Sequence, residues 1–250
     1  MKNLKSIFSS LFVITFSLFF VLIINTNAFS VDTCVDCHKD EKFRVQDKKV
    51  YDYFNKWKGS IHDIAGVICV DCHGGNPAKA KKEEAHAKNL SPADVSSMVY
   101  YKNVPETCGK CHEEVYDNFV KSDHYKVLKK TGRGPICTTC HGSLVTNVYY
   151  TSIVLSTCIG CHNQQNQNHP EVINTAEQIL HRLNVSKGFM KWTSIHYKNK
   201  SGELIKLNAL YQNISDSWHQ FDFATTEKDS NKLLSEVKAL FHEASKSKKE

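Results

Sequence analysis

Absences narrow the field before any motif is read. Of the 250 residues only three are methionine and five proline, so sulfur from methionine is too scarce to serve as a recurring ligand. Past the first 30 residues no second uncharged apolar run reaches the length that crosses a bilayer, which excludes repeated membrane spans. Charge of one sign is in short supply as well: 32 basic against 26 acidic residues leave a formal +6. The one lysine run, "KSKKE" at the C-terminus, reads as a solvated tail. No cysteine stands alone.

What is present is a pattern. "CVDCH" at residues 34–38 returns letter for letter at 69–73, and the general form C-x-x-C-H occurs again as "CGKCH" at 108–112, "CTTCH" at 137–141 and "CIGCH" at 158–162. All ten cysteines are consumed: Cys34, Cys37, Cys69, Cys72, Cys108, Cys111, Cys137, Cys140, Cys158 and Cys161. At the chain's own frequencies, ten Cys and thirteen His in 250 residues, chance would supply roughly 0.02 such motifs.

Three chemistries use paired cysteines. Disulfides need no histidine after every second cysteine. Zinc wants four tetrahedral ligands, usually as two separated pairs, and adjacent Cys and His side chains cannot easily turn to one small ion. Covalent haem accounts for every letter, because two thiols spaced by two residues add to the two vinyl groups while the next imidazole lies beneath the iron. The expectation is five covalently bound c-type haems, with His38, His73, His112, His141 and His162 as metal ligands. Each oxidised haem subtracts about one charge, so the loaded protein should be near neutral or mildly acidic, and no nucleic-acid partner is implied.

The N-terminus sets the compartment. Lys2 and Lys5 precede an uncharged apolar run from Ile7 to Ile24, and "NTNAFS" offers cleavage after Ala28 or Ser30. Residues 1–28 read as a secretory signal or, uncleaved, as a membrane anchor. Either places the remainder outside the cytoplasm, in the periplasm.

Residues 29–165 form the expected pentahaem region, mainly α with short helices and many irregular loops. Aromatics such as Tyr51, Trp57, Tyr116 and Tyr125 are expected at porphyrin edges. "VTNVYYTSIVL" at 145–155 is β-branched and expected to be extended. Residues 166–250 read as a C-terminal helical hairpin or small bundle. Val172, Ala176, Ile179, Leu180 and Leu183 recur at helical spacing to about Asn184, a second stretch carries Leu207 to Phe221, and a third begins near Thr226.

Five motif histidines supply one axial ligand each, and the second must come from elsewhere. His62 in "KWKGSIHD" and His124 in "NFVKSDHYKVL" share S-x-H after an aromatic and a basic residue, which suits distal ligation. His86 in "KKEEAHAKNL" lies in a run too polar to need burial for another reason. His169, directly before Pro170, and His219 in "SDSWHQFD" are further candidates, while His181 and His242 fall on polar helix faces and His196 is undecided.

"CVDCHGGNPAKAKKEEAH", "VPETCGKCH", "SDHYKVL" and "CTTCHGS" together resemble the multihaem cytochromes c of respiratory bacteria, the group that includes the tetrahaem electron carrier partnering hydroxylamine oxidoreductase. The likeness covers roughly residues 31–165. It implies that the S-x-H histidines are distal ligands and that haems lie in close stacked or perpendicular pairs. Relatives often continue CHGS with a histidine; here Leu144 follows Ser143, so that ligand must come from elsewhere.

Three functions remain open. The first is a periplasmic electron carrier in anaerobic or nitrogen-compound respiration, with no catalytic residues and with other cytochromes or a quinol-oxidising membrane complex as partners. The second is an oxidoreductase acting on nitrite, nitric oxide or hydroxylamine at an open haem. The lysine that pentahaem nitrite reductases carry in a C-x-x-C-K motif is missing. The third is a membrane-anchored quinol-oxidising cytochrome. An oligomer fits any of them.

Overall fold

A computed structural model describes residues 32–86, 88–142, 144 and 151–246. The expected leader at 1–28 and the first residues of the expected extended stretch, 145–150, lie outside the described residues. Among the described residues there is no strand, in keeping with a mainly α chain.

The N-terminal half is a succession of short helices joined by turns. Short helices need external capping, because few of their backbone groups bond internally. Asp32 caps the Thr33–His38 helix through the N–H of Cys34 at 3.1 Å, and Asp47 caps Lys48–Trp57 through Val50 at 3.2 Å. The loop after the second motif folds back on the first: Thr33 donates its hydroxyl to the Lys79 carbonyl at 2.7 Å and its N–H to that of Pro77 at 2.9 Å. Apolar burial in this half is sparse. Among the described residues before 150 only Phe119, Leu128 and Ile136 join the buried hydrophobic core.

Residues 151–155, expected to be extended, belong instead to the Thr151–Ile159 helix. The reading is corrected by context. β-Branched residues carry only a weak preference against helix, and here Val154 and Leu155 are buried while Asn184 of the next helix donates to the Thr151 hydroxyl at 3.0 Å.

Three long helices follow: Val172–His196, Ser201–His219 and Phe223–Lys246. The first continues well beyond the expected end near Asn184. Its buried positions are Ala176, Ile179, Leu183, Ser186, Met190 and Thr193, alternating steps of three and four, and the third helix buries Thr226, Ser230, Leu233, Val237, Leu240 and Ala244 in the same rhythm. The apolar signal fades after Leu183 because small hydroxyl residues hold the seam. Their size lets the first and third helices approach closely, and Ser230 returns its hydroxyl to the Glu227 carbonyl at 2.9 Å. Ile179, Leu207, Ile214, Leu233 and Val237 belong to one apolar cluster shared by all three helices.

The second bundle helix also rests on the Glu113–Phe119 helix. Gln220 donates to the Asn118 side chain across that junction at 2.8 Å. Leu233 is 0% exposed at the bundle centre. Leu233→Ala is expected to cost about 2–5 kcal/mol, read as a lower thermal midpoint, with the visible spectrum of the folded protein unchanged.

Candidate haem-binding site

Each C-x-x-C-H motif makes one helical turn. Helical positions i, i+3 and i+4 share a face, so the two thiols and the imidazole project together. The N–H of His112 bonds the Cys108 carbonyl at 2.9 Å and that of His162 the Cys158 carbonyl at 2.8 Å, while the other three motifs lie within α-helices. The variable letters have local work. Asp71 accepts from the N–H of Ile68 at 2.8 Å, and Thr139, at the same place in its motif, accepts from that of Ile136 at 3.0 Å.

Consecutive motifs are neighbours in space. Cys69 stands near Cys34, Cys108 and Cys111 near Cys72, Cys137 near Cys108, and Cys158 near Cys140. Order along the chain is therefore order in space. Burial, with Asp32 beside it, pushes the Cys34 thiol up to about 12, and burial pushes Cys69 and Cys140 up to about 11. Among the described residues no three His, Cys, Asp or Glu side chains form a group that could hold a metal ion.

Four motif histidines face a second histidine. His38 faces His86 with ring centroids 6.1 Å apart, His112 faces His62 at 6.3 Å, His162 faces His124 at 5.8 Å, and His141 faces His219 at 6.1 Å. The ring planes are crossed by 83°, 75° and 69° in the first three and stand at 11°, nearly parallel, in the fourth. A metal–imidazole nitrogen distance is about 2 Å, and with the ring centre roughly 1 Å further back, two imidazoles on opposite sides of one ion stand about 6 Å apart. The observed separations meet that condition, so the residues fit axial ligation of haem.

Local structure explains how the facing histidines arrive. In both S-x-H elements serine is the N-cap and histidine the second residue of the helix: Ser60 accepts from the Asp63 N–H at 3.3 Å and Ser122 from that of Tyr125 at 3.1 Å. The likeness of the two segments is one capped turn used twice. For His86 the device is "CHGG". Gly75 has φ +94°, and a Cβ there would stand 2.7 Å from the Ala85 carbonyl oxygen, which instead accepts from the Asn76 N–H at 2.8 Å. That crossing carries His86 back towards His38. His219 ends the second bundle helix and is delivered from a distant part of the sequence.

Backbone carbonyls orient some of these rings. The Nδ1 of His162 stands 2.7 Å from the Asn168 carbonyl and that of His219 2.7 Å from the Ser215 carbonyl, an arrangement that fixes a tautomer with Nε2 free. Burial lowers the pKa of His38, His73, His141 and His219 and brings His124 down to about 4, with His162 adding to the effect. These imidazoles stay neutral near pH 7, as a metal ligand must.

His73 differs. Among the described residues no histidine or aromatic ring faces it. Met98 packs against the backbone of the same turn, its sulfur 3.8 Å from where a Gly74 Cβ would be, and it accepts from Lys110 at 3.4 Å. His169 lies exposed with its Nδ1 3.1 Å from Glu171, and among the described residues no ring contact pairs it with a motif histidine. His181 and His242 are exposed, and His196 stacks on Trp192 at 4.2 Å. His219 ranked in sequence no higher than His169, because an amphipathic helix offers no local sign of the ring its last residue meets.

Tandem C-x-x-C-H turns with facing histidines define the chemistry of a multihaem c-type cytochrome. In keeping with that class, part of the chain is similar to the multiheme cytochrome MtrA of Shewanella baltica (strain OS185), 30% identical over 118 residues, which is 43% of this chain. The chain spans 31% of that protein's length. No protein-family model matches the chain, and no solved structure matches it. No helix among the described residues is long and apolar enough to cross a membrane.

Gly75→Ala is expected to destabilise the protein by about 1–3 kcal/mol, from both the left-handed backbone and the clash with Ala85. Gly188→Ala, in a helix with nothing within 4 Å of the added carbon, should be neutral or stabilising. Thermal midpoints of the two variants separate the cases.

Proposed function

We propose that the chain is a periplasmic electron-transfer protein of anaerobic or nitrogen-compound respiration, holding five covalently bound c-type haems. Residues 29–165 are the haem-binding unit and 166–250 the helical bundle that braces it. The ten motif cysteines attach the haems. His38, His73, His112, His141 and His162 are the proximal ligands, with His86, His62, His219 and His124 opposite the first, third, fourth and fifth. The observation that carries this reading is the set of four facing histidine pairs on motifs that touch in chain order. When bound, haem iron supplies reversible one-electron chemistry. The chain's own contribution is to keep successive groups in contact, orient the imidazoles and shield them from water. Partners are other redox proteins, and the tetrahaem carriers that serve hydroxylamine oxidoreductase remain the family this reading favours.

A second reading is favoured by one observation, the ring of His73 with no partner opposite. A haem held there by His73 alone would leave one face for a small molecule such as nitric oxide, nitrite or hydroxylamine. The enzyme reading rests on that position and on no other.

Intact mass of the matured protein should equal the processed chain plus five haems; four or fewer would mean an unused motif. His62→Ala and His124→Ala should each move the low-spin intensity of one haem, about a quarter of that carried by the four facing pairs, to a high-spin form that binds carbon monoxide when reduced. His242→Ala should change nothing. An unaltered spectrum in either of the first two would sink the ligand assignment. Reduced wild-type protein binding carbon monoxide at one haem would favour the second reading.

Ring orientation gives an independent check. Crossed axial imidazoles leave two iron d orbitals nearly degenerate, whereas parallel ones split them. Electron paramagnetic resonance of the oxidised protein should show three strongly anisotropic low-spin signals and one rhombic one, from the 11° pair of His141 and His219. His219→Ala should remove the rhombic signal and spare the others.

A further inference from the structure

We propose that Phe221 is a positioning residue for His124, holding that ring in place of a hydrogen bond such as the one that orients His219. The inference rests on the reading of His124 as an axial ligand of the haem on Cys158 and Cys161.

The backbone at Phe221 is the first observation. The Ser201–His219 helix ends with the N–H of Asp222 on the Ser217 carbonyl at 3.1 Å and the N–H of Phe221 on that of Trp218 at 2.9 Å. This double bond pattern closes a helix with a left-handed residue, and glycine is the residue that usually occupies it. Here Phe221 takes the position with φ +58°. A bulky side chain in that region is a costly outlier, and such strain persists where the surroundings demand it.

The ring shows what is gained. Phe221 meets His124 edge to face, centroids 4.1 Å apart at 84°, and is wedged against Phe119, Trp218 and Phe223 at 6.3–6.5 Å. His124 needs such support. Its Nδ1 is buried without a hydrogen-bond partner, whereas His162 and His219 have Nδ1 within 2.7 Å of a backbone carbonyl. An imidazole with no acceptor at Nδ1 is a less electron-rich donor and is not locked in rotation. Phe221 restricts the rotation by contact and leaves the electronic effect absent. The haem between His162 and His124 should therefore have a weaker distal ligand than the His141–His219 pair and a higher reduction potential than an Nδ1-anchored ligand would give.

The test uses the full-length holoprotein with three variants: Phe221→Gly, Phe221→Tyr and His124→Ala. Glycine suits the left-handed turn and offsets part of the lost ring packing, so Phe221→Gly should fold, with a lower thermal midpoint, and keep every haem. About one haem in five should nevertheless become partly high-spin and bind carbon monoxide when reduced, as in His124→Ala, and Phe221→Tyr should restore the low-spin form. A fully low-spin Phe221→Gly protein beside a high-spin His124→Ala protein would overturn the positioning role and leave the ligand standing. No high-spin haem in His124→Ala would remove the ligand reading and this proposal with it. Failure of Phe221→Gly to fold would also overturn it, leaving Phe221 a packing role only.

Discussion

The separation of about 6 Å between facing imidazoles governs the rest of the structure. Each pair joins a motif turn to a segment elsewhere in the chain: His38 to the loop behind the second motif, His112 to the turn before it, His141 to the end of the second bundle helix. Such a spacing tolerates little error, and the local devices serve it. Serine caps, left-handed glycines and the strained corner at Phe221 all fix where a histidine ring stands. The first half of the chain buries few apolar side chains among its described residues, so large flat apolar cofactors are the natural filling for it.

The bundle plays the opposite part. It has its own apolar seam, closed by small hydroxyl residues, and it touches the motif region through its corner. One short stretch there, Trp218 to Phe223, contributes His219 opposite His141, Gln220 to Asn118 and Phe221 to His124. A stable helical unit thereby fixes the geometry of the two last motifs. The first three rely on one another.

Much of this was legible in the sequence, for a physical reason. Covalent attachment and ligation demand particular letters at particular spacings, so the five motifs, the two S-x-H turns and the CHGG…AH element stand out of a single chain. Facing partners were not legible. His219 and His169 look alike in sequence because what separates them is a meeting across the fold. The helix at 151–159 and the extension past Asn184 were missed because propensity and apolar periodicity are weak when neighbouring helices bury Val154 or when Ser186 and Thr193 hold a seam. The similarity to the multiheme cytochrome MtrA, over 43% of the chain, adds weight to the class and leaves the geometry to the residues themselves.

The adjacency of consecutive motifs bears on assembly in time. A chain whose neighbouring motifs touch forms short-range contacts as it emerges, and short-range contacts form fastest. His38 meets His86 and His112 meets the earlier His62 without waiting for the bundle, whereas His124, opposite His162, gains its contact with Phe221 only when the bundle corner forms. His141 must wait for His219, which stands late in the chain. The fourth site is then the last to close, and a chain cut short before the second bundle helix would leave that gate ajar while the first and third pairs have already met.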